Sequence, residues 1–277
     1  MMTTALTRGA LSRALVGDEL AFSRVAAVLQ RSMTALGSGG SYWWLVLSGL
    51  AEPLLYLFAM GWGVGALVGD ITLADGRTVP YLVFIAPALL ASASMNGAVA
   101  ESTMNFFSKL KFSKIYYPML NTPVTPVEIA FGELGWAMMR GAMYTVAFLA
   151  VAVGIGLTSP LLAALAVPAA LLVGLAFGAA GMTLATLMRT WQDFDYVSIL
   201  LFALFLFSGT FVPVDTYPAG LQVVVWATPL FHGVELLRGV MLEQFHLGLL
   251  WHVAYLLAVT LAAMAVASRR IARMLRR

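Results

Sequence analysis

The sequence predicts an all-α integral membrane protein with six transmembrane helices, and three observations support this. Hydrophobic residues make up 61% of the 277 residues and charged residues only 10%, whereas a soluble domain carries about a quarter charged residues. The apolar residues form six long runs separated by more polar segments. The basic residues gather in alternate segments between those runs, which is the distribution expected of a multi-pass membrane protein.

Five of the six apolar runs are about 20 residues or longer, which is enough for a helix to cross the hydrocarbon core of a bilayer. The fifth has 16 residues. At 1.5 Å per residue such a helix covers about 24 Å of a core that is roughly 30 Å thick. The predicted spans are residues 42–67, 81–103, 128–154, 161–187, 197–212 and 247–267, which form one transmembrane domain over 42–267 between a cytoplasmic segment 1–41 and a basic tail 268–277.

The two sets of connecting segments differ strongly in basic residues. One set carries 13 lysines and arginines and the other carries two, so by the positive-inside rule the first set faces the cytoplasm. Both termini are therefore predicted to be cytoplasmic. Alanine is abundant and arginine outnumbers lysine, which is typical of a bacterium with a GC-rich genome. We predict that the chain lies in the inner membrane of such a cell. The net charge of +3 follows from this topology and gives no reason to expect a nucleic-acid partner.

Charged and apolar residues alternate at helical spacing over residues 18–36, before a break rich in glycine and serine. Leu20, Val25, Val28 and Leu29 can share one face, so we predict a helix that lies along the cytoplasmic membrane interface. The alternative is a flexible tail, which the helical spacing of the apolar residues disfavours.

The cytoplasmic segment 105–127 mixes lysines, aromatic residues and prolines. It is either a positive-inside loop with aromatic interface anchors or a short coupling helix that docks a cytoplasmic partner. We favour docking because a plain connector of this length is uncommon. Asn121 or Thr122 is expected to cap the helix, and the prolines to stiffen its ends. The predicted coupling residues are Met119, Leu120, Asn121, Thr122, Pro123, Val124, Thr125 and Pro126.

Two charged residues lie deep inside predicted spans. At 1.5 Å per residue, Glu52 is about 15 Å into the first span and Arg140 about 18 Å into the third. An unpaired charge at that depth is costly, so we predict a buried ion pair between them. Glu133 shares a helix face with Arg140 and is the competing partner. A proton relay is the alternative to a structural pair, but no chain of titratable groups accompanies these residues.

The region after the fifth run predicts a re-entrant hairpin that caps the outer end of the domain. The run ends at Ser208 and Gly209, Pro213 follows, and a second apolar stretch over 218–242 is interrupted at Pro229. Irregular backbone at membrane depth is tolerated only where protein or water covers it. The hairpin therefore indicates a translocation path.

Three polar residues follow Pro229 at intervals of three, namely His232, Glu235 and Arg238. Residues at this spacing lie on one helix face and can interact with one another. They form either the solvated edge of an interfacial helix or a polar patch at an outer gate, and both interpretations fit the pattern.

Glycines recur at helical spacing in two of the predicted spans. Gly61, Gly65 and Gly69 lie at the end of the first, and Gly174, Gly178 and Gly181 line the fourth. Small residues at this spacing let helix backbones approach closely, either within one subunit or across a dimer.

The sequence lacks the residues and motifs that several kinds of site require. No cysteine is present, so disulfides and thiolate metal sites are excluded, and the three histidines lack metal-ligand spacing. The sequence has no Gly-x-x-x-x-Gly-Lys-[Ser/Thr] loop to cradle ATP phosphates. It also lacks a Gly-x-Ser-x-Gly elbow and a His-Glu-x-x-His zinc motif. We therefore predict that the chain is not an enzyme and binds no cofactor of its own.

Three segments are similar in order and spacing to a known family. They are 106–141, with Met-Leu-Asn-Thr-Pro at 119–123; 206–213, Leu-Phe-Ser-Gly-Thr-Phe-Val-Pro; and 229–239, Pro-Leu-Phe-His-Gly-Val-Glu-Leu-Leu-Arg-Gly. In these segments the chain resembles the membrane subunit of type-2 ABC exporters, in particular the permeases of the nodulation-factor and daunorubicin-resistance kind. The last two segments are the more specific, and the likeness covers nearly the whole chain.

The resemblance implies a six-span subunit that pairs with a second permease copy as a homodimer or with a paralogue, and that binds two ATP-binding cassette subunits. ATP and Mg²⁺ are then held by those partner subunits. ATP-driven conformational change would move an amphiphilic lipid, lipid-linked glycan or drug out of the cytoplasm or the inner leaflet. Exporters of polysaccharides share this fold, so the substrate does not follow from it.

An ion-coupled secondary transporter is the alternative function. Such a carrier would call for internal repeats and a relay of intramembrane carboxylates. The sequence shows no convincing repeat, and only Glu52 and Glu133 qualify as carboxylates of a relay. A membrane enzyme would need a polar catalytic cluster at one interface, and the pattern contains none.

Overall fold

The computed structural model describes residues 21–37, 51, 53–73 and 76–275, and these residues are mainly helical. Their helices are α1 (Phe22–Gly37), α2 (Pro53–Val68), α3 (Tyr81–Phe112), α4 (Tyr116–Met119), α5 (Pro126–Gly154), α6 (Pro160–Leu187), α7 (Asp193–Leu206), α8 (Ala219–Trp226), α9 (Pro229–Met241) and α10 (Leu249–Leu275).

Helices α3, α5, α6 and α10 are each long and apolar enough to cross a membrane, and the bent pair α8–α9 would add a fifth span. The chain is thus a multi-pass membrane protein. The predicted spans 128–154 and 161–187 agree closely with α5 and α6. Most of the predicted first span lies outside the described residues, and α2 is its described remainder.

Two of the long helices extend beyond the predicted spans. Helix α3 runs past residue 103 to Phe112, and α10 runs past residue 267 to Leu275. The arginines that were expected to form a tail are good helix formers. One of them, Arg270, donates hydrogen bonds to the hydroxyl and carbonyl oxygens of Thr186, at 2.8 and 3.2 Å. This contact fixes the end of α10 against α6.

Helix α6 lies at the centre of the packing, against α3, α5, α9 and α10. Its glycines permit the close approach. A Cβ added at Gly181 would lie 2.3 Å from the Ser102 hydroxyl oxygen, and one at Gly178 would lie 2.9 Å from Leu134. Small residues let neighbouring backbones come together, so the glycine stripe of the fourth predicted span serves packing within the subunit.

Helix α7 corrects the predicted fifth span, which was placed at 197–212. It has 14 residues, Asp193–Leu206, and at 1.5 Å per residue it is about 21 Å long. A turn follows, in which Gly209 has a φ of +71°, a conformation that favours glycine. The fifth apolar run is therefore a short helix, as expected, but it begins and ends earlier in the chain.

The second apolar stretch is broken near the predicted position. Helices α8 and α9 meet at an angle of 84°. Thr228 caps α9, and Pro229 occupies its first turn, where a proline needs no backbone donor. The structure thus contains the bend, while the insertion of the pair into a membrane as a hairpin stays a prediction.

A small β-hairpin between α2 and α3 departs from the expected all-α fold. Its strands β1 (Asp70–Thr72) and β2 (Thr78–Pro80) are antiparallel, with Ile71 opposite Val79. Gly76, with a φ of +82°, lies in the connection and adopts a conformation suited to a tight turn. β-branched residues on both strands favour this pairing.

Candidate functional site

A cavity of about 580 Å³ lies between α2, α3, α5 and α7. The wall formed by α3 and α5 carries polar side chains, whereas the wall formed by α2 and α7 is mainly apolar and aromatic. The polar side chains are Ser92, Asn96, Glu101, Asn105, Arg140 and Tyr144, and the opposite wall includes Pro53, Tyr56, Leu201, Phe202 and Phe205. The cavity therefore offers hydrogen-bonding groups on one side and apolar surface on the other.

An ion pair between Glu101 and Arg140 dominates the polar wall. The same carboxylate accepts hydrogen bonds from Trp136 Nε1 at 3.0 Å and from Asn105 Nδ2 at 2.7 Å. Arg140 also donates to the Tyr144 hydroxyl at 3.0 Å. Glu101 is only 6% exposed. A buried carboxylate is tolerated when it is paired and hydrogen-bonded, and this one has both kinds of partner.

The partner of Arg140 in the described structure is thus Glu101, which the sequence analysis did not single out. The predicted partner, Glu52, lies outside the described residues, so that pair stays a prediction. Glu133, the competing candidate, binds Lys109 instead, at 2.6 Å. Glu133 and Arg140 are seven residues apart on one helix, or about 10 Å along its axis. Glu101 was detectable as a carboxylate near the end of the otherwise apolar predicted second span.

The predicted coupling segment is helical for much of its length. Helix α3 continues into it through two π-helical stretches, Glu101–Asn105 and Ser108–Phe112, and the short α4 follows. Tyr116 of α4 is fully buried. Burial, together with the negative charge of Glu133, raises the pKa of the Tyr116 phenol well above its usual value, so this group is neutral.

Neither Asn121 nor Thr122 caps the short helix α4, because its N-cap residue is Ile115, which makes no side-chain cap hydrogen bond. The capped helix is α5, with Thr125 as its N-cap. The Thr125 hydroxyl accepts the backbone N–H of Glu128 at 3.4 Å, and the Glu128 carboxylate accepts the backbone N–H of Thr125 at 2.8 Å. This reciprocal capping box starts α5. Thr122 donates its hydroxyl proton to the Met119 carbonyl at 2.6 Å. Asn121 and Thr122 are exposed and so available for contact.

Helix α1 is docked against the coupling segment. Arg24 lies 2.9 Å from the buried Glu128 carboxylate and donates to the Pro123 carbonyl at 2.6 Å. Val28 of the same helix packs so closely on Gly132 that an added Cβ there would lie 2.6 Å away. The structure therefore contains a helix in the predicted N-terminal segment, while its placement along the membrane interface stays a prediction.

The polar face of α9 is turned into the protein. Arg238 is 4% exposed; it pairs with Glu235 at 2.5 Å, donates to the Gly209 carbonyl at 3.0 Å and lies over the Phe84 ring at 4.1 Å. It thereby joins the turn at Ser208–Thr210 to α9 and α3. Neither proposed role for this face describes Arg238, since it is neither solvated nor open to a cargo.

His232 is likewise 4% exposed. Its Nε2 lies 3.0 Å from the Trp226 carbonyl, and its Nδ1 lies 2.7 Å from Nδ1 of His252. A carbonyl only accepts hydrogen bonds, so Nε2 of His232 carries its proton and His252 donates to Nδ1. The pair joins α9 to α10. Among the described residues no cluster of three or more histidine, cysteine, aspartate or glutamate side chains is placed to hold a metal ion.

Comparison with known proteins gives consistent matches. The chain matches the family described as ABC-2 type transporter over residues 24–242. It is similar to Nodulation protein J of Rhizobium leguminosarum bv. viciae, with 32% identity over 235 residues that cover 82% of this chain and 88% of that protein. Nodulation protein J of Rhizobium leguminosarum bv. trifolii is 33% identical over 71% of this chain and 74% of its own length. Nodulation protein J of Bradyrhizobium diazoefficiens is 30% identical over 82% of this chain and 87% of its own length.

Proposed function

The chain belongs to the ABC-2 type transporter family, and on that premise we propose that it is the membrane subunit of an ATP-driven exporter whose cargo is an amphiphile. The observation that carries the cargo proposal is the two-sided cavity, with Arg140 and its polar neighbours facing Phe202 and Phe205. A lipid, a lipid-linked glycan or a drug with one polar and one apolar part matches these two walls. The cargo leaves the cytoplasm or the inner leaflet and is released outward.

The ion pairs support an exporter over the ion-coupled carrier considered from the sequence. A carrier needs carboxylates that bind and release a proton or a cation. The buried carboxylates of the described chain are Glu101, Glu128 and Glu133. They are paired with Arg140, Arg24 and Lys109, respectively. Such pairs hold helices together and leave no relay among the described residues, to which Glu52 does not belong.

The orientation proposed here puts both termini, the coupling segment and the end of α3 in the cytoplasm of a bacterial cell, with the chain in the inner membrane. Residues 110–126 then face the ATP-binding cassette subunits, of which two copies serve a permease dimer. ATP and Mg²⁺ belong to those subunits. The docking of α1 against this segment, through Arg24 and Glu128, gives a movement of the ATP-binding subunit a direct route into the permease.

The central test is a charge change on the docking surface. The double variant Asn121→Arg/Thr122→Arg should insert into the membrane normally but lose coupling, because the added bulk and charge disrupt the contact. ATP hydrolysis by the co-purified complex should fall to the rate of the ATP-binding subunit alone. The matched control is Thr72→Arg/Thr78→Arg, two exposed threonines on the β-hairpin, which should hydrolyse ATP like the wild type. Unchanged hydrolysis in both double variants would remove the docking assignment.

A second copy of the chain is proposed to cover α7. Tyr196, Ile199 and Phe202 of this helix are 74%, 66% and 60% exposed, and Phe202 also lines the cavity. A cysteine at Ile199 should cross-link to a second copy in membranes. A cysteine at Leu250, which is 65% exposed on α10, is the control. Failure of Ile199→Cys to cross-link when only this permease is present would point to a paralogue as the partner.

The bent pair α8–α9 is proposed to dip into the outer leaflet over residues 216–243. Val224 on α8 tests this, since it is 56% exposed in the protein and a lipid leaflet around it would shield it. Val224→Cys should resist a membrane-impermeant thiol reagent, whereas the exposed control Asp215→Cys should react. Val234 is fully buried and would resist the reagent in either case. Fast reaction at Val224 would mean an ordinary solvated loop.

A further inference from the structure

Four aromatic rings gather where α3 and α7 meet at the end of the bundle that carries the coupling segment. We call Phe107, Phe112, Trp191 and Phe194 the aromatic latch. Phe107 is 1% exposed and touches the other three, with ring centroids 5.9, 5.5 and 5.3 Å away. Trp191 stacks on Phe112 at 5.2 Å and also contacts Phe194 at 5.4 Å. The rings therefore form one continuous cluster.

The latch lies next to residues that line one end of the cavity. Asn105 lines the cavity from α3, and Phe107 follows two residues later. Ser198 lines it from α7, and Phe194 precedes Ser198 by about one helical turn. The rings thus join the two helices directly beyond the point where the same helices line the cavity.

The latch is also a main attachment of α7 to the described chain. Phe194 and Val197 are the buried residues of α7, and both lie at the latch end. At the other end, Phe205 makes edge contacts with Tyr56 and Phe211, at 5.7 and 5.1 Å. Between these attachments the helix passes in front of the cavity. An element with few buried contacts opens at low free energy, so α7 is suited to move.

The outer half of the latch is accessible. Phe112 is 58% exposed and Trp191 is 44% exposed, although they stack on each other. Tryptophan is enriched at membrane–water interfaces, which suits Trp191. Phe112 also ends a π-helical stretch, and such stretches occur frequently at functional sites. An amphiphile in the adjoining leaflet would reach this surface without crossing the protein.

We propose that the cleft between α3 and α7 is the lateral entrance for the cargo, and that the aromatic latch holds α7 shut until the cargo separates the rings. This inference rests on the proposed function for the direction of movement and for the amphiphilic nature of the cargo. The apolar part of the cargo replaces the ring contacts as it enters, and its polar part then meets the wall that contains Arg140.

The absence of cysteine from the chain permits a direct test in membranes that contain the full chain and its ATP-binding partner. The triple variant Phe112→Cys/Trp191→Cys/Ser92→Cys has its latch cysteines joined by a short bifunctional methanethiosulfonate linker. Ser92 is 4% exposed and lines the cavity, so Ser92→Cys reports entry of the lipid-soluble reagent pyrene maleimide. Labelling at position 92, read from the mass of its own peptide because the latch thiols also react with maleimide, should slow at least fivefold after linking and recover after reduction of the linker.

Ser94 supplies the matched control. It is 5% exposed, but its hydroxyl faces Thr145 and it is not among the cavity residues. Labelling of Ser94→Cys in the same background should not respond to the linker. Equal labelling of Ser92→Cys with and without the linker would overturn the entrance, as would an equal slowing at both positions.

A second variant tests the latch without any linker, so damage by the linker cannot explain its result. Phe112→Leu/Trp191→Leu removes the stacked rings and should speed labelling of Ser92→Cys at least threefold; an unchanged rate would contradict the latch. Failure of the proposed function is distinguishable, since a permease uncoupled from ATP hydrolysis by Asn121→Arg/Thr122→Arg would still show the effect of the linker on Ser92→Cys. An entrance in the wrong place would leave ATP coupling intact and labelling insensitive to the linker.

Discussion

The two sides of the cavity are built by opposite means. On the packed side, α3, α5, α6, α9 and α10 lie against one another, with glycines of α6 admitting side chains of α3 and α5. On the thin side, α2 and α7 expose large apolar residues such as Leu55 and Ile199, at 67% and 66%. Buried ion pairs fix the packed side, whereas aromatic edge contacts hold the thin side.

This difference separates rigidity from movement. The charged groups of the cavity stand on the packed side, where Glu101 and Arg140 have fixed partners. A site on rigid elements keeps its geometry. The exposed residues of α7 are available to the second copy proposed above. The packed side therefore sets what the cavity recognises, and the thin side controls access to it.

The largest effect expected is on the packed side, at the ion pair. Arg140→Gln should lower the free energy of unfolding by about 3–5 kcal/mol, because it leaves the carboxylate of Glu101 buried and uncompensated. Glu101→Gln should cost a similar amount. Thermal unfolding of the purified chain in detergent measures both losses. Phe202→Leu, at an exposed position of the thin side, is the control and should change stability little.

A double-mutant cycle assigns the partner of Arg140. Glu101→Gln combined with Arg140→Gln should lose less stability than the sum of the two single variants, because residues in contact are not additive. Coupling between Glu52→Gln and Arg140→Gln would support the pair predicted from the sequence, and additivity would contradict it. Additivity between Glu101→Gln and Arg140→Gln would contradict the observed pair.

A glycine substitution on each side gives the next largest effect. Gly181→Ala places a Cβ 2.3 Å from the Ser102 hydroxyl and 3.4 Å from the Val99 backbone, and overpacking of this kind costs about 1–3 kcal/mol. Gly63→Ala on α2 meets nothing within 4 Å. Removing a glycine from a helix there should be neutral or should stabilise by up to about 1 kcal/mol. Chemical unfolding of both variants measures the difference, and equal losses would abolish the distinction between the two sides.

The sequence predicted the packed side better than the thin side. Long apolar runs determine α5 and α6 nearly to the residue, because length and hydropathy are enough to define a membrane helix. Helix α7 was misplaced, since hydropathy continued through Ser208 and Gly209 to Val212 while the backbone turned at Gly209. A turn that depends on one residue with a positive φ does not interrupt the hydropathy of an apolar run, so hydropathy alone does not reveal it.

The partners of the buried charged residues could not be predicted from the sequence. Its position along the helix placed Arg140 inside the bundle. Its partner depends on how α3 and α5 are rotated about their axes relative to each other, and no local sequence pattern gives that rotation. His232 and His252 are 20 residues apart and meet because α9 and α10 pack against each other. The cap of α5 at Thr125 was readable, since Thr-x-x-Glu is a capping-box pattern, but the sequence analysis assigned no cap to that helix.

The smallest effect expected lies at the start of α7, where the thin side joins the packed side. The Asp193 carboxylate accepts the backbone N–H groups of Arg189 and Thr190, at 2.6 and 3.1 Å. These hydrogen bonds hold the pKa of Asp193 below its usual value. Asp193→Asn should weaken this connection while leaving α5 and α6 unchanged. Hydrogen–deuterium exchange should show faster exchange at Arg189 and Thr190 in the variant, whereas equal exchange would mean that the carboxylate holds nothing.

The same carboxylate gives the connection a dependence on pH with a definite sign. Because the pKa of Asp193 is lowered on folding, its stabilisation is fully present above the unfolded pKa of about 3.9. It is lost as the pH falls through the lower folded value. Protection of the Arg189 and Thr190 amides in the wild type should therefore decline only in acid below about pH 4. Asp193→Asn should show no such decline, since an amide side chain does not titrate in this range. A decline of equal size in both proteins would mean that the acid-sensitive group lies elsewhere. The aromatic contacts alone would then attach the start of α7.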